Sequence, residues 1–218
     1  MTRCLSLAGA VLILAGVWFL PLEAFLPGPF SVHMTMHMGV VAIAAPLIAT
    51  GLAGHRFDPV RSAPALFPPV LAAMVELVVV WTWHVPTLHH ASRESIAVLA
   101  VEQASFLATA LWLWLSALGG APIRRADRGA EGLVAMLLTS MHMTLLGALL
   151  ALPTRALYPG HAGAAGAPAD VPDQHIGGAI MLVFGAAAYL AGGLFLAAEM
   201  LRRRARSRPS HERVAGLT

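Results

Sequence analysis

Residues 33–50 read HMTMHMGVVAIAAPLIAT, a stretch with no Asp, Glu, Lys or Arg. After its His/Met-rich opening, every position from Gly39 to Ala49 is Gly, Ala, Val, Ile, Leu or Pro. A run of this kind nearly matches the about 20 residues that cross a bilayer core as a helix. Working outward, similar runs lie at roughly Leu5–Leu20 (extendable to Leu26), Phe67–Trp83, Ser95–Leu118, Leu133–Leu152 and Ile176–Met200. Pro/Gly stretches or charge clusters separate them: PGP at 27–29, GHRFDPVRSAP at 54–64, GGAPIRRADRGAEG at 119–132 and PGHAGAAGAPADVPDQH at 159–175. Such punctuation marks loops, and the last segment is expected to be irregular.

Composition agrees. Of 218 residues, 58% are hydrophobic and 11% charged, against about 25% charged in soluble domains, and mean hydropathy is +0.73. A water-soluble enzyme of this size cannot hide so much apolar surface, and a disordered chain needs the opposite composition. The expected fold is an all-α integral membrane protein, a polytopic bundle of about six transmembrane helices. Residues 1–200 form one bundle domain and 201–218 a basic cytoplasmic tail.

The net charge is +3 and all 14 cations are Arg. Arg3, Arg56, Arg61, Arg124, Arg125, Arg128 and the six arginines after Met200 fall on one side of the predicted spans, Arg93 and Arg155 on the other. The positive-inside rule therefore puts both termini in the cytoplasm and segments 21–32, 84–94 and 153–175 outside. The basic tail reads as a topology signal that touches anionic headgroups, not as a nucleic-acid surface. Trp18-Phe19-Leu20-Pro21 is a poor signal-peptide cleavage site, so the first span is expected to be retained. Cleavage would leave the other five spans undisturbed. Gly178, Gly185 and Gly192 recur every seven residues, a small-residue seam for close helix approach. Glu199 is placed to pair with Arg202 or Arg203.

The lone cysteine, Cys4, excludes a disulfide framework and any CxxC site. Metal chemistry would fall to His, Met and carboxylates. In the second span His33 and His37 share a helical face, with Met34, Met36 and Met38 beside them. Imidazole with thioether suits copper, above all Cu(I); the bland reading is apolar filler with His at the headgroup level. Met141, His142 and Met143 repeat the pattern near the middle of the fifth span, where His142 should face the bundle interior, as a ligand or as a hydrogen-bonded structural group. Glu76 and Glu102 are intramembrane carboxylates, candidates for orienting a ligating His. His84 lies where Pro86 stops the third span, in WTWHVPTLHH, whose tryptophans read as an interfacial belt. Asp173 and His175 open the last span, with Met181 below, and Asp173 reads as a cap on that helix. The candidate metal residues are thus His33, Met34, Met36, His37, Met38, His84, Met141, His142, Met143, Asp173, His175 and Met181, nearly all in the outer half of the bundle.

HMTMHMGVVAIAAPLIATG at 33–51, WHVPTLHHA at 83–91, EQASFLATALWLW at 102–114 and LYPG with VPDQHIGGAIM at 157–181 resemble the multi-spanning CtaG-like family of cytochrome c oxidase assembly factors. The resemblance implies that the family's outward His/Met cluster corresponds to His33, Met34, His37 and Met38. Its Trp-His-x-Pro corresponds to Trp83, His84 and Pro86, and its Asp-Gln pair to Asp173 and Gln174, followed by Met181. Glu102-Gln103 departs from an expected Gln-His, so no ligand is carried over there. The resemblance further implies a non-enzymatic assembly factor of the bacterial plasma membrane, handling copper as Cu(I) on the outer side. Its partners would be cytochrome c oxidase subunits, a periplasmic copper chaperone and the lipid bilayer. The competing functions are a b-type haem or quinone-linked electron carrier using His37 or His84 with His142, a copper transporter relaying through His142, and a metal-free scaffold. A hydrolase has no GxS, HExxH or paired catalytic carboxylates in its favour.

Overall fold

A computed structural model describes residues 2–120, 128–158 and 170–206. Among them, six helices are long and apolar enough to cross a membrane, and there are no strands. The helices are α1 (Thr2–Phe19), α2 (Pro29–Leu52), α3 (Pro69–Trp83), a short α4 (Pro86–Glu94), α5 (Ile96–Leu118), α6 (Gly129–Ala151) and α7 (Asp170–Arg206). Each expected span coincides with one long helix, with ends displaced by a few residues. The largest difference is at α7, whose first turn already contains Asp170–Asp173, where irregular chain was expected. The tail, from 207 onward, and the loop at 121–127 lie outside the described residues, as do most of 159–175 up to Ala169.

Successive long helices run back and forth, so the bundle has two ends. At one, Arg3, Arg61 and Arg128 bond to the carbonyls of Ala53, Gly54 and Gly119; we call this the arginine end. At the other, α2 begins, α3 stops and α4 folds across; this is the histidine end. α7 packs along α6 and against the first half of α2, while α3 lies against α5 and α6. α1 touches mainly α2 and is buried only at Ala10, so it is peripheral. The glycine seam does what its spacing implied: a Cβ on Gly178 would stand 2.5 Å from the Ala151 backbone nitrogen, and one on Gly192 would stand 2.8 Å from the Trp114 ring. Glu199 pairs with Arg203 at 3.0 Å.

α2 is not a uniform α-helix. Residues Gly39–Ala44 form a π segment, in which the Ala45 N–H reaches back five residues to the Val40 carbonyl. The next bond in that ladder would run from residue 46 to the Val41 carbonyl, but residue 46 is proline and has no N–H to give. Trp114 of α5 supplies the missing donor, its indole Nε1 lying 3.2 Å from Val41 O. The same indole stacks on Tyr189 of α7, centroids 5.4 Å apart, and Tyr189 donates to Glu76 of α3 at 2.8 Å. The carbonyl that Pro46 leaves without a donor is thus tied through Trp114 and Tyr189 to Glu76, linking four helices at mid-bundle.

Candidate metal centre

The start of α2 is fixed from the far end of the chain. Gly28 is extended, Pro29 occupies the first helical position, and the Asp173 carboxylate accepts from the backbone N–H of Phe30 at 2.7 Å and Ser31 at 3.0 Å. These are the orphan donors that every helix start must satisfy. Asp173 therefore caps α2 and not its own helix, contrary to expectation, because α7 has already begun at Asp170. A Cβ on Gly28 would stand 2.5 Å from the Asp173 carboxyl carbon, which explains glycine there. The neighbouring Gln174 accepts from Leu157 N at 2.7 Å and donates to Leu150 O at 3.0 Å, holding the loop after α6 over the histidine end.

With α2 so anchored, His33 is buried among groups from two other helices. Its ring meets His89 of α4 edge-on, centroids 4.5 Å apart, and its Nε2 lies 3.3 Å from Glu102 Oε1 on α5. His33, His89 and Glu102 each offer one ligating atom, and these atoms all lie within 4.8 Å of one another. Neither Glu102 oxygen accepts a hydrogen bond, although the residue is fully buried. Phe30 and Tyr158 roof the cluster, their centroids 5.2 and 4.6 Å from that of His89. Burial pushes the Tyr158 phenol pKa up, so the group stays protonated and donates to His84 O at 2.7 Å.

About one turn deeper on α2, His37 packs on Phe106, centroids 4.0 Å apart, and meets His84 edge-on at 5.4 Å. His84 closes the C-terminus of α3 and is buried. His142 of α6 faces the interior, as expected.

The structure divides the remaining candidates. Met34, Met38, Met143 and Met181 are buried, and the first three line the seam with α7, at the Cβ positions of Gly177 and Gly185. Met36 lies on the other side of α2, in a cleft of about 430 Å³ shared with Trp18, Phe19 and Gln103. Met141 is 69% exposed and points away from the bundle, because its neighbour His142 points in. His175 donates through Nε2 to Pro153 O at 2.7 Å, and Asp173 is taken up by its cap. Neither belongs to the clusters around His33 and His37.

Two members of the tightest cluster, His89 and Glu102, were not among the candidates. Glu102 departs from the family pattern and reads in sequence as a group that orients a ligating His, the cost of an intramembrane carboxylate already pointing to it. His89 carried a weaker signal. Pro86 is a helix-starting residue as well as a stop, and the amphipathic segment it starts, PTLHHASRE, folds back over the bundle with His89 inward. His90 is exposed and 3.2 Å from Glu94.

A six-span helical architecture that buries imidazoles and a carboxylate at one end defines a class: a multi-pass membrane protein with an interior polar site. The family model of the cytochrome c oxidase caa3 assembly factor (Caa3_CtaG) matches residues 1–203. The chain belongs to that family, in agreement with the resemblance in its motifs. Comparison with curated proteins gave no match, and neither did comparison with solved structures.

Proposed function

We propose that this assembly factor takes up a copper ion as cargo at its histidine end and yields it to an oxidase subunit. The observation that carries the proposal is the buried His33–His89–Glu102 cluster, whose ligating atoms lie within 4.8 Å of one another. Imidazole suits copper, and a carboxylate offsets part of the charge of a cation brought into a low-dielectric interior. The arginine distribution supports an outward-facing histidine end and cytoplasmic termini, which in a bacterial plasma membrane would turn the site toward periplasmic copper donors.

Two features favour this over the competing readings. His37 is packed at 4.0 Å on Phe106 and 5.4 Å from His84, a fit for a small ion rather than a haem macrocycle. Toward the arginine end the interior is filled by Leu113, Trp114, Leu118, Met136 and Leu196, all buried. Such packing supports loading and release at one end over transit across the membrane.

The test is an anaerobic Cu(I) titration of detergent-purified protein against a chromophoric chelator, beside His33→Ala/Glu102→Gln. Affinity should fall at least about 100-fold in the double variant, more than loss of a group that merely orients a ligand. Equal affinity in both proteins would remove copper handling from this cluster. In cells, the same variant should lower assembled oxidase activity, with partial rescue by added copper.

A further inference from the structure

We propose that His37 and His84 form a second cation station, deeper than His33–His89–Glu102 and selective for a monovalent soft ion. This rests on the copper-handling reading only for the identity of the cargo. The geometry stands apart from it.

His84 shows the clearest preparation. Its Nδ1 lies 2.7 Å from Val80 O, and a carbonyl can only accept, so Nδ1 carries the proton and Nε2 keeps its lone pair. That Nε2 is buried and has no hydrogen-bond partner. A backbone carbonyl holding the far nitrogen is the usual way a ligating histidine is oriented, and Tyr158 fixes the same residue from the loop by donating to its carbonyl at 2.7 Å. Facing it, both nitrogens of His37 are buried without a partner. Two imidazoles that share an ion at about 2.0 Å per nitrogen place their ring centroids roughly 5–6 Å apart. His37 and His84 are at 5.4 Å.

The two stations differ in charge. The upper one includes a carboxylate, whereas the two histidines of the lower are neutral donors. Burying an ion without a counter-charge is costly and rises steeply with its charge. The lower station therefore suits a monovalent ion such as Cu(I) or Ag(I), and the upper accepts a divalent one as well. The step on α2 from His33 to His37 is one turn, about 6 Å, so an ion could pass between stations without leaving the bundle.

The experiment counts ions bound to detergent-purified full-length protein by elemental analysis after gel filtration, every protein including the wild-type reference carrying Cys4→Ser because the exposed thiol would itself hold Ag(I). Ag(I) is the redox-inert monovalent probe and Cu(II) the divalent one. Wild type should retain two Ag(I) but one Cu(II). His37→Asn/His84→Asn should lose one Ag(I) and keep Cu(II). His33→Asn/Glu102→Gln should lose Cu(II) and keep one Ag(I). A single Ag(I) in wild type overturns the second station on its own and leaves the copper-handling proposal standing, so the result does not depend on either variant folding. A double variant that binds neither ion while keeping the wild-type elution profile would instead show one composite site. No binding of either ion to wild type would overturn both proposals.

Discussion

Asp58 and Glu102 are both fully buried carboxylates, one at each end of the bundle, and they are held in opposite ways. Asp58 accepts from three backbone N–H groups: Gly54 at 2.7 Å, Val60 at 3.0 Å and Gly120 at 2.7 Å. It pins the turn after α2 to the end of α5, and Gly54 and Gly120 adopt the positive φ of 70° and 84° that these turns need. Glu102 accepts no hydrogen bond, although it lies 3.3 Å from the nearest imidazole nitrogen. Buried polar groups in folded proteins are overwhelmingly satisfied. An end where a buried carboxylate and the imidazoles of His37 and His142 lie without hydrogen bonds is therefore built for something other than stability. The arginine end is a joint; on the proposed function, the histidine end is a receptacle.

The comparison predicts opposite outcomes for apparently equal substitutions. Asp58→Ala strands three donors at once, and should destabilise the protein by on the order of 3 kcal/mol, read as a large fall in melting temperature in detergent. A loss below about 1 kcal/mol, the worth of one ordinary hydrogen bond, would mean that Asp58 is no joint. Glu102→Gln should do the reverse. With no hydrogen bonds to lose, metal-free stability should hold within about 1 kcal/mol, while copper affinity falls by about 100-fold. If Glu102→Gln melted as early as Asp58→Ala, the distinction between the two ends would fail.

Asp173 lies between these extremes, since it is a joint that serves the receptacle. Asp173→Ala should cost about 1–2 kcal/mol, as the loss of a helix cap does, and should also weaken copper binding severalfold because the start of α2 sets where His33 points. Unchanged affinity alongside the stability loss would show that the cap and the site are independent. Trp114→Phe should cost about 1 kcal/mol by leaving the Val41 carbonyl without its donor, and should leave metal affinity at the wild-type value. A larger loss of affinity would mean that the π segment controls the site.

These contrasts also show how much was readable before the fold was known. The spans were legible because a bilayer demands long apolar helices, a one-dimensional property. The inward face of His142 followed from the cost of exposing an imidazole to lipid. What the linear order could not carry was which helices meet. Asp173 was read as a cap, correctly in chemistry, but the helix it caps lies at the other end of the chain. Glu102 and His89 become ligand candidates only when α4 and α5 are laid against α2. Met34 and Met38 looked equivalent to His33 and His37 along the chain, and packing turned them toward the glycines of α7.

Met141, His142 and Met143 make the smallest and sharpest test of that last point. In sequence they are a symmetrical trio, the same Met-His-Met pattern that opens near His33. In the fold they are split by 100° per residue: Met143 is fully buried against Gly185, His142 faces the interior and Met141 is 69% exposed on the outer surface of α6. Met141→Leu keeps the apolar surface and removes only the sulfur, so neither melting temperature nor Cu(I) affinity should move. Met143→Leu also removes a thioether, but from a packed position, and a volume-conserving swap there should cost less than about 1.5 kcal/mol. If Met141→Leu weakened Cu(I) binding tenfold while Met143→Leu did not, thioether contact at the outer surface would be part of the cargo's route, and the receptacle would extend beyond the bundle interior.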